Sequence, residues 1–380
     1  MKASGLVLSA NARVGVGGQG LNLEHMVEAL RDAYPLTVFA RASQEPRSVN
    51  VPAARASASV LSVPFLRRRR DWITLLDDRQ FDRYVANHMP EARILQGVVG
   101  QCAQSMEVAK SRRMRTVLDV VNTHVDDFHG HVVRESRKFG LYHMVHPETR
   151  KRILSEYALA DVVRVMSERA ARTFAGRGFP MEKLVVATPP IDSTGLPQAQ
   201  FKGPFRLSFV GLLEPWKGFH YLLEAFDRLE LPEAELIFWG GPGSRSASAM
   251  LDEYQARNRR IAIRPVPIRS VGFEEVYGKT SVLVHPSLSD GFSYAVAEAM
   301  ACGVPVIVTD NTGAADLVVD GESGYIVPIA NVDALAERIE RFAREPKLLP
   351  RMGAKARDAV RRLTPEAFRA PLLKRLAQFS

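Results

Sequence analysis

The chain has 380 residues, of which 46% are apolar and 24% charged, with a net charge of +9 and only two cysteines. That length is too great for one compact α/β layer and suits two domains with ordinary globular cores. Cys102 and Cys302 lack ligand-like or disulfide-like spacing, which argues against a structural zinc site and fits a reducing compartment, and no apolar run approaches the ~20 residues that a membrane span needs.

In chain order, the opening residues lack the long apolar core of a signal peptide, and Gly5 to Ser9 read as a first strand. A glycine-rich turn, Val14-Gly15-Val16-Gly17-Gly18-Gln19-Gly20, leads into a helix from Leu21 to Ala33. Such a turn either lets backbone approach a ligand at a helix start or is simply tight. Strand-like runs follow at 35–41, 94–96, 116–121 and 162–166, with helical periodicity between them. Strands alternating with helices predict βαβ units and a parallel sheet. The segment from Pro189 to Pro197 breaks the pattern and reads as a linker.

A second alternating block has predicted strands at 207–210, 235–239, 261–264, 281–285 and 304–309. Its predicted helices lie at 219–228, 246–258, 273–277, 332–344 and 350–361. The end of the chain, Leu363 to Leu376, looks amphipathic but is interrupted by Pro371. The fold class is therefore α/β, two doubly wound Rossmann-like domains with a central cleft, where ligands bind at the carboxyl ends of strands.

Charge is unevenly placed. Residues 1–200 carry 28 Lys and Arg against 20 Asp and Glu, whereas residues 201–380 carry 23 against 22. The densest point is Arg67, Arg68, Arg69 and Arg70, flanked by Pro64-Phe65-Leu66 and Trp72-Ile73. This cluster is either a peripheral contact with an anionic membrane surface or a solvated patch that steers an anionic substrate. No stacking-aromatic platform or binding motif accompanies it, so nucleic acid is not expected as a partner.

The most informative stretch runs from His285 to Val308. Asp290 is followed by Gly291, Phe292 and Ser293, whose N–H groups open an Ala-rich helix carrying Glu298. Unpaired donors and aligned peptide dipoles at a helix start attract anions. Carboxylates beside such a site grip hydroxyl groups, which together suit a nucleotide-sugar donor. Asp290 has a second reading as the helix N-cap.

The second half resembles the family 4 (group 1) retaining glycosyltransferases. The resemblance rests on Phe209-Val-Gly211 through Lys217-Gly218, Phe238-Trp-Gly240-Gly241-Pro-Gly243, the His285–Val306 stretch, and Gly313 to Val327. It implies the GT-B fold, with an acceptor-binding domain at 1–190, a donor-binding domain at 204–363 and a final helix, 364–380, returning to the first domain. It also implies transfer of a sugar from a nucleoside-diphosphate sugar to a glycan or lipid-linked hydroxyl acceptor, in cell-surface polysaccharide or glycolipid assembly. No cofactor and no metal are expected, and the compartment is cytoplasmic, at or near the inner membrane face.

By resemblance, Lys217 would meet the diphosphate, Glu298 the ribose, and Asp290, where the family usually has glutamate, the donor sugar. His124, in Val121-Asn122-Thr123-His124, matches positions that carry an active-site histidine near the sugar's 6-hydroxyl. Gly17 and Gly18 match a glycine loop facing the cleft, and Gly211 belongs to the loop before Lys217. The family usually has an arginine five positions before the lysine, and this chain has Leu212. His129 and His131 read as acceptor-loop or surface residues. Two rival functions remain at this level: a non-catalytic nucleotide-sugar binder or membrane-complex subunit, and a nucleotide-sugar epimerase.

Overall fold

The computed structural model describes residues 5–52, 70–140, 146–265 and 271–379. The chain forms two compact units. The first comprises Met1–Val133, Tyr142–Pro190 and Pro365–Ser380, and the second comprises Arg134–Leu141 and Ile191–Thr364.

The first unit is built on a seven-stranded parallel sheet. Its strands are β1 (Leu6–Ser9), β2 (Leu36–Ala40), β3 (Ser48–Asn50), β4 (Ile94–Val98), β5 (Arg115–Val120), β6 (Val162–Val165) and β7 (Leu184–Val186), in the order β3-β2-β1-β4-β5-β6-β7. The helices are α1 (Gly17–Leu30), α2 (Arg70–His88), α3 (Ala103–Ser111), α4 (Val125–Lys138), α5 (Pro147–Leu159) and α6 (Glu168–Ala175). Strand β1 reads Leu-Val-Leu-Ser with every residue buried, the near-continuous apolar run expected of a parallel strand covered on both faces. Its alternation divides the core. Leu6 and Leu8 join Met26, Leu30 and Phe368 on one face. Val7 joins Phe81, Val85, Met106 and Phe174 on the other.

The C-terminal helix α12 (Pro365–Ala377) belongs to this first unit. It is continuous through Pro371, where the sequence predicted an interruption. Phe368, Leu372 and Leu376, four apart, are buried along one face, and that burial offsets the ~3 kcal/mol that an interior proline costs. Beneath Phe368 lies the fully buried Arg164, its guanidinium 5.1 Å from the ring centroid. Arg164 donates to Asp119 Oδ1 and Asn22 Oδ1, both at 2.7 Å, and to the Ala187 carbonyl. A buried charge persists only when paired and saturated in this way.

The second unit is built on a six-stranded parallel sheet in the order β10-β9-β8-β11-β12-β13. The strands are β8 (Arg206–Val210), β9 (Glu235–Trp239), β10 (Ile261–Arg264), β11 (Val282–His285), β12 (Val306–Thr309) and β13 (Gly324–Val327). The helices are α7 (Phe219–Asp227), α8 (Arg245–Arg257), α9 (Tyr294–Ala301), α10 (Val332–Arg344) and α11 (Leu348–Val360). Phe209, Phe219, Phe226, Phe238 and Phe342 form the centre of its core. Strand order reverses direction between the paired strands β8 and β11, the switch point at which such sheets bind ligands.

The structure departs from the sequence reading in several places. Residues 191–203, within and beyond the predicted linker, are stitched to the second unit: Ile191 N–H to Leu363 O, Ala199 to Cys302 O, and Gln200 to Gly278 O. The predicted helix at 273–277 is a single π-turn, Glu274–Gly278, and the strand predicted from Val304 begins at Val306, after Pro305. Residues Arg134–Leu141 belong to the second unit. There Glu135, almost fully buried, accepts from His220, Tyr221 and Lys138. Arg67, Arg68 and Arg69 lie outside the described residues, as do the side chain of Arg70 and all of His143.

Candidate functional site

In the second unit, the loops leaving β8 and β11 meet at the switch point. After β8 the chain passes Gly211, whose φ of +139° lies in a region that side chains rarely adopt. A Cβ on Gly240 would stand 2.0 Å from the Gly211 carbonyl oxygen, so the two loops touch only because that residue is glycine. Leu212 then projects outward, 54% exposed, while Leu213 turns into the core. A 3₁₀ turn, Pro215–Lys217, ends at Gly218 in the left-handed region, φ +70°. Gly218 packs against the Pro286 carbonyl so closely that a Cβ would sit 2.0 Å from it. That contact, with the bond from Leu288 N–H to Trp216 O at 2.8 Å, fixes the Lys217 loop on the loop after β11.

The outcome is an ion pair. Lys217 Nζ lies 2.6 Å from Asp290 Oδ2. His285, the last residue of β11, places Nε2 3.1 Å from the same oxygen. Both Asp290 and His285 are buried. Burial opposes the charge on Asp290, but the Lys217 ammonium and the His285 N–H outweigh it and hold the carboxyl below the usual carboxylate range. Burial holds the His285 imidazole below its usual value despite Asp290, so the ring is neutral with its proton on Nε2, the donor this contact requires. The backbone of Asp290 is also fixed, its carbonyl accepting from Gly313 N–H at 2.8 Å.

Helix α9 begins four residues after Asp290. Its N-cap is Ser293, whose hydroxyl accepts from Val296 N–H. The alternative role of Asp290 as N-cap is therefore filled by Ser293, because the Asp290 carboxylate is committed to Lys217 and His285. Gly291 and Phe292 are buried in the connecting turn, the Phe292 ring lying edge-on to Tyr294 at 5.4 Å. Glu298 lies one turn into α9 and accepts from the Tyr277 hydroxyl at 2.7 Å. Tyr277 is fully buried, and burial and Glu298 raise its phenol far above the ordinary value. It is a donor that keeps its proton.

The structure brings Lys217 and Asp290, two of the residues singled out in the sequence, into contact, and it adds two partners that were not singled out: His285 on Asp290 and Tyr277 on Glu298. In the sequence His285 reads only as a strand end and Tyr277 only as helix. The available signal is position: the last residue of a central parallel strand faces the ligand end of the sheet.

The other candidates lie in the first unit. Gly17 and Gly18 form the exposed first turn of α1, and a Cβ added at either would meet nothing within 4 Å. The helix starts there, four residues before the predicted Leu21. His124 follows β5 and is 5% exposed. Its Nδ1 accepts from Asp126 N–H at 3.2 Å, capping α4, and its ring packs against Tyr157 and Phe174 with centroids 5.1 and 4.9 Å away. Burial lowers its pKa, leaving a neutral ring whose second nitrogen, Nε2, carries the proton. His129 and His131 are on helix α4, not in a loop. His146 caps α5 through Nδ1. Among the described residues no three His, Cys, Asp or Glu side chains are grouped as metal ligands would be.

Residues 197–359 match the family model described as "Glycosyl transferases group 1". The chain is 28% identical over 196 residues to the putative colanic acid biosynthesis glycosyltransferase WcaL of Salmonella typhimurium, covering 48% of each chain. It is 30% identical over 160 residues to the capsular polysaccharide biosynthesis glycosyltransferase CapM of Staphylococcus aureus, covering 41% of each. The matches therefore span about half the length, or less, of these curated relatives. Over nearly the whole length the fold is similar to sucrose-phosphate synthase from Thermosynechococcus elongatus, with a TM-score of 0.72 at 19% identity, covering 99% of this chain and 98% of that one. It is likewise similar to Anabaena HepE, solved in complex with UDP-glucose, with a TM-score of 0.73 at 17% identity, covering 98% of this chain and 99% of that one. Residues 197–359, in the second of the two Rossmann-like units of a GT-B fold, are thus similar in sequence to the group 1 glycosyl transferases.

Proposed function

We propose that this chain is a retaining glycosyltransferase that moves a sugar from a nucleoside-diphosphate sugar to a hydroxyl acceptor, without a metal, in cell-surface polysaccharide or glycolipid assembly. The observation that carries the reading is the Lys217–Asp290 pair at 2.6 Å, at the carboxyl ends of the two strands flanking the switch point. The start of α9 opens from the same loop. An ammonium and helix-start N–H groups suit a diphosphate, and a fixed cation favours the charge that grows on the leaving phosphate. Lysine has three donors, so Lys217 can keep Asp290 and still reach a phosphate oxygen.

In this scheme Asp290 orients the donor sugar and steadies positive charge at its anomeric carbon. Glu298, held by Tyr277, takes the ribose hydroxyls. The acceptor attacks from the face that the phosphate leaves, and a phosphate oxygen receives the acceptor's proton. His124, as a neutral Nε2–H donor, is proposed to contact a sugar hydroxyl, and Gly17 and Gly18 to allow close approach of substrate to backbone. WcaL and CapM are named for polysaccharide assembly, which supports a glycan or lipid-linked acceptor. The excess basic charge of the first half, densest at Arg67–Arg70, suits such an anionic acceptor. Among the described residues no helix is long and apolar enough to cross a membrane.

A second reading, a nucleotide-sugar binder without turnover, is favoured by one observation: exposed Leu212 stands where the resemblance leads one to expect a second cation. A thermal-shift panel of nucleoside diphosphates and their sugars tests both, since selective stabilisation reports binding to the folded state. Stabilisation by one nucleotide sugar, with donor hydrolysis that Lys217→Ala abolishes, supports the transferase. Stabilisation without hydrolysis or transfer across a broad acceptor panel supports the binder. No stabilisation by any nucleotide refutes both.

A further inference from the structure

Parallel sheets are ordinarily covered on both faces. In the second unit one face is, where Leu207, Phe209, Leu236, Phe238 and Ile261 join the core. On the other face the Ser208 hydroxyl meets that of Thr280 at 2.6 Å, and Ser208 is fully buried. Among the described residues the cover ends at the next two strands. Ile237 and Trp239 of β9 and Ala262 and Arg264 of β10 line a half-open cavity of about 890 Å³, walled by Pro204, Pro232 and Glu275. That volume lies within the range of small-molecule sites, about 300–1,000 Å³.

The two ends of the cavity differ in charge. At the amino ends of the strands Arg206 and Glu235, opposite each other in register, pair at 2.8 Å and neutralise one another. At the carboxyl ends register sets Arg264 beside Trp239. Arg264 is exposed, and no carboxylate among the described residues pairs with it. The Trp239 side chain is buried, 4% exposed, and its Nε1–H has no acceptor. Buried donors in folded proteins are nearly always matched, so this one marks a place for an acceptor. Between the two ends the floor is apolar, with Ile237 and Ala262 half-buried.

We infer that this cavity binds a small organic anion with an apolar body, its anionic group between the Arg264 guanidinium and the Trp239 N–H and its body on Ile237 and Ala262. A guanidinium beside an N–H donor suits a carboxylate or phosphate oxygen, and the apolar floor removes the rest of the ligand from water. Two other occupants fit less well. Strand addition along β10 is blocked, because the Ile261 carbonyl accepts from Gln255 at 3.1 Å, the Ile261 N–H is on the Asn258 carbonyl, and Pro265 follows the strand. A second copy placed edge to edge by a two-fold axis would bring Arg259 of each chain, also exposed, toward Arg264 of the other. The cavity borders the loop that ends at Lys217, since the Trp239 carbonyl accepts from Gly211 N–H at 2.9 Å. Neither Lys217 nor Asp290 lines it, and the inference stands whether or not that pair holds a sugar donor.

The test is fluorescence titration of the full chain with 8-anilinonaphthalene-1-sulfonate, an anion with an apolar body. One saturable site is expected. Arg264→Gln should weaken binding about tenfold or more, the scale of one charge-assisted hydrogen bond, and Trp239→Phe about two- to tenfold, the scale of a neutral one. Melting temperatures within the wild-type range establish that the variants fold; if Trp239→Phe melts early, Arg264→Gln, which alters an exposed side chain, decides. Phenylacetate and phenyl phosphate, added as competitors, distinguish a carboxylate from a phosphate, and displacement of the probe by either supports the inference. Absence of a saturable site, binding that Arg264→Gln retains in full, or failure of both phenyl anions to compete overturns it. Displacement by UDP overturns it too, because the probe would then occupy a nucleotide site.

Discussion

Replacing His285 by leucine removes one N–H from Asp290 and little else. The imidazole is buried, stacks on Phe209 with centroids 6.4 Å apart, and donates to Asp290 Oδ2 from 3.1 Å. A hydrogen bond to a charged acceptor contributes about 1.5–3 kcal/mol. Lys217 stays in place, so the carboxylate remains ionised near neutrality, and the loss falls on its orientation. If transfer needs the orientation seen here, the rate should drop about 10- to 150-fold at roughly 1.4 kcal/mol per tenfold. Nucleotide affinity should stay within about twofold. His285→Gln restores a donor and should recover most of the rate. The assay is initial-rate nucleotide release from the donor found by thermal shift, alongside titration of the matching nucleoside diphosphate. A leucine variant that folds and turns over at the wild-type rate would show that Asp290 needs no help from His285. Equal losses in leucine and glutamine would defeat the idea too, because they would assign the effect to volume.

Three further outcomes follow from the same site. Lys217→Ala should abolish thermal stabilisation by nucleoside diphosphates while leaving that by the free nucleoside, a contrast that a misfolded loop would not give. Gly218→Ala forces a Cβ into the Pro286 carbonyl at a left-handed φ, which should cost about 1–3 kcal/mol in strain and lower the denaturant midpoint of the second unit; an unchanged midpoint would show that the loop relaxes freely. On pH, the folded chain keeps His285 neutral while the unfolded chain takes up a proton below about 6.5. Its contribution to stability is therefore present above that value and is lost as pH falls toward the depressed folded value. Asp290 adds a contribution present above about 3.9 and lost only as pH falls through its own lowered value. The melting temperature should thus decline below about pH 6.5, and less steeply in His285→Gln; equal slopes would remove His285 from the account.

Much of the second unit is legible in the sequence because its signals are local. Alternating β-rich runs bounded by glycine, such as Leu207–Val210 before Gly211, mark strands whatever they pack against. The resemblance assigns Lys217 and Asp290 to one donor, Lys217 to its diphosphate and Asp290 to its sugar, without stating that the two side chains touch. What escapes the sequence depends on contacts distant along the chain. Lys217 and Asp290 are 73 positions apart, and no pattern in either neighbourhood states that the lysine is already engaged. His124 and Ser293 show the same limit from the other side. A histidine after a strand and an aspartate before a helix do not reveal in sequence whether they cap the helix, and only the partners of His124 Nδ1 and Ser293 Oγ show that His124 does and that Ser293 takes that place from Asp290.

The ion pair also limits how the proposed site could hold a donor. Leu212 brings no charge, Lys217 and Asp290 cancel, and Glu298 adds a carboxylate, so these four positions offer a diphosphate no net attraction. If the proposed donor site is right, binding would rest on the helix-start N–H groups and on Lys217 bridging its two anions, with Asp290 repelling the ligand that its neighbour attracts. Asp290→Asn removes the repulsion and keeps an oxygen for Lys217 and His285. For a carboxylate and a phosphate about 6 Å apart across a shared ammonium, an effective dielectric constant of roughly 20–40 gives about 1–3 kcal/mol. The variant should then bind the nucleoside diphosphate about five- to a hundredfold more tightly while transferring sugar more slowly, two effects of opposite sign from one substitution. Weaker nucleotide binding in Asp290→Asn would mean that the carboxylate serves only to hold Lys217 in place, and the bridging arrangement would be wrong.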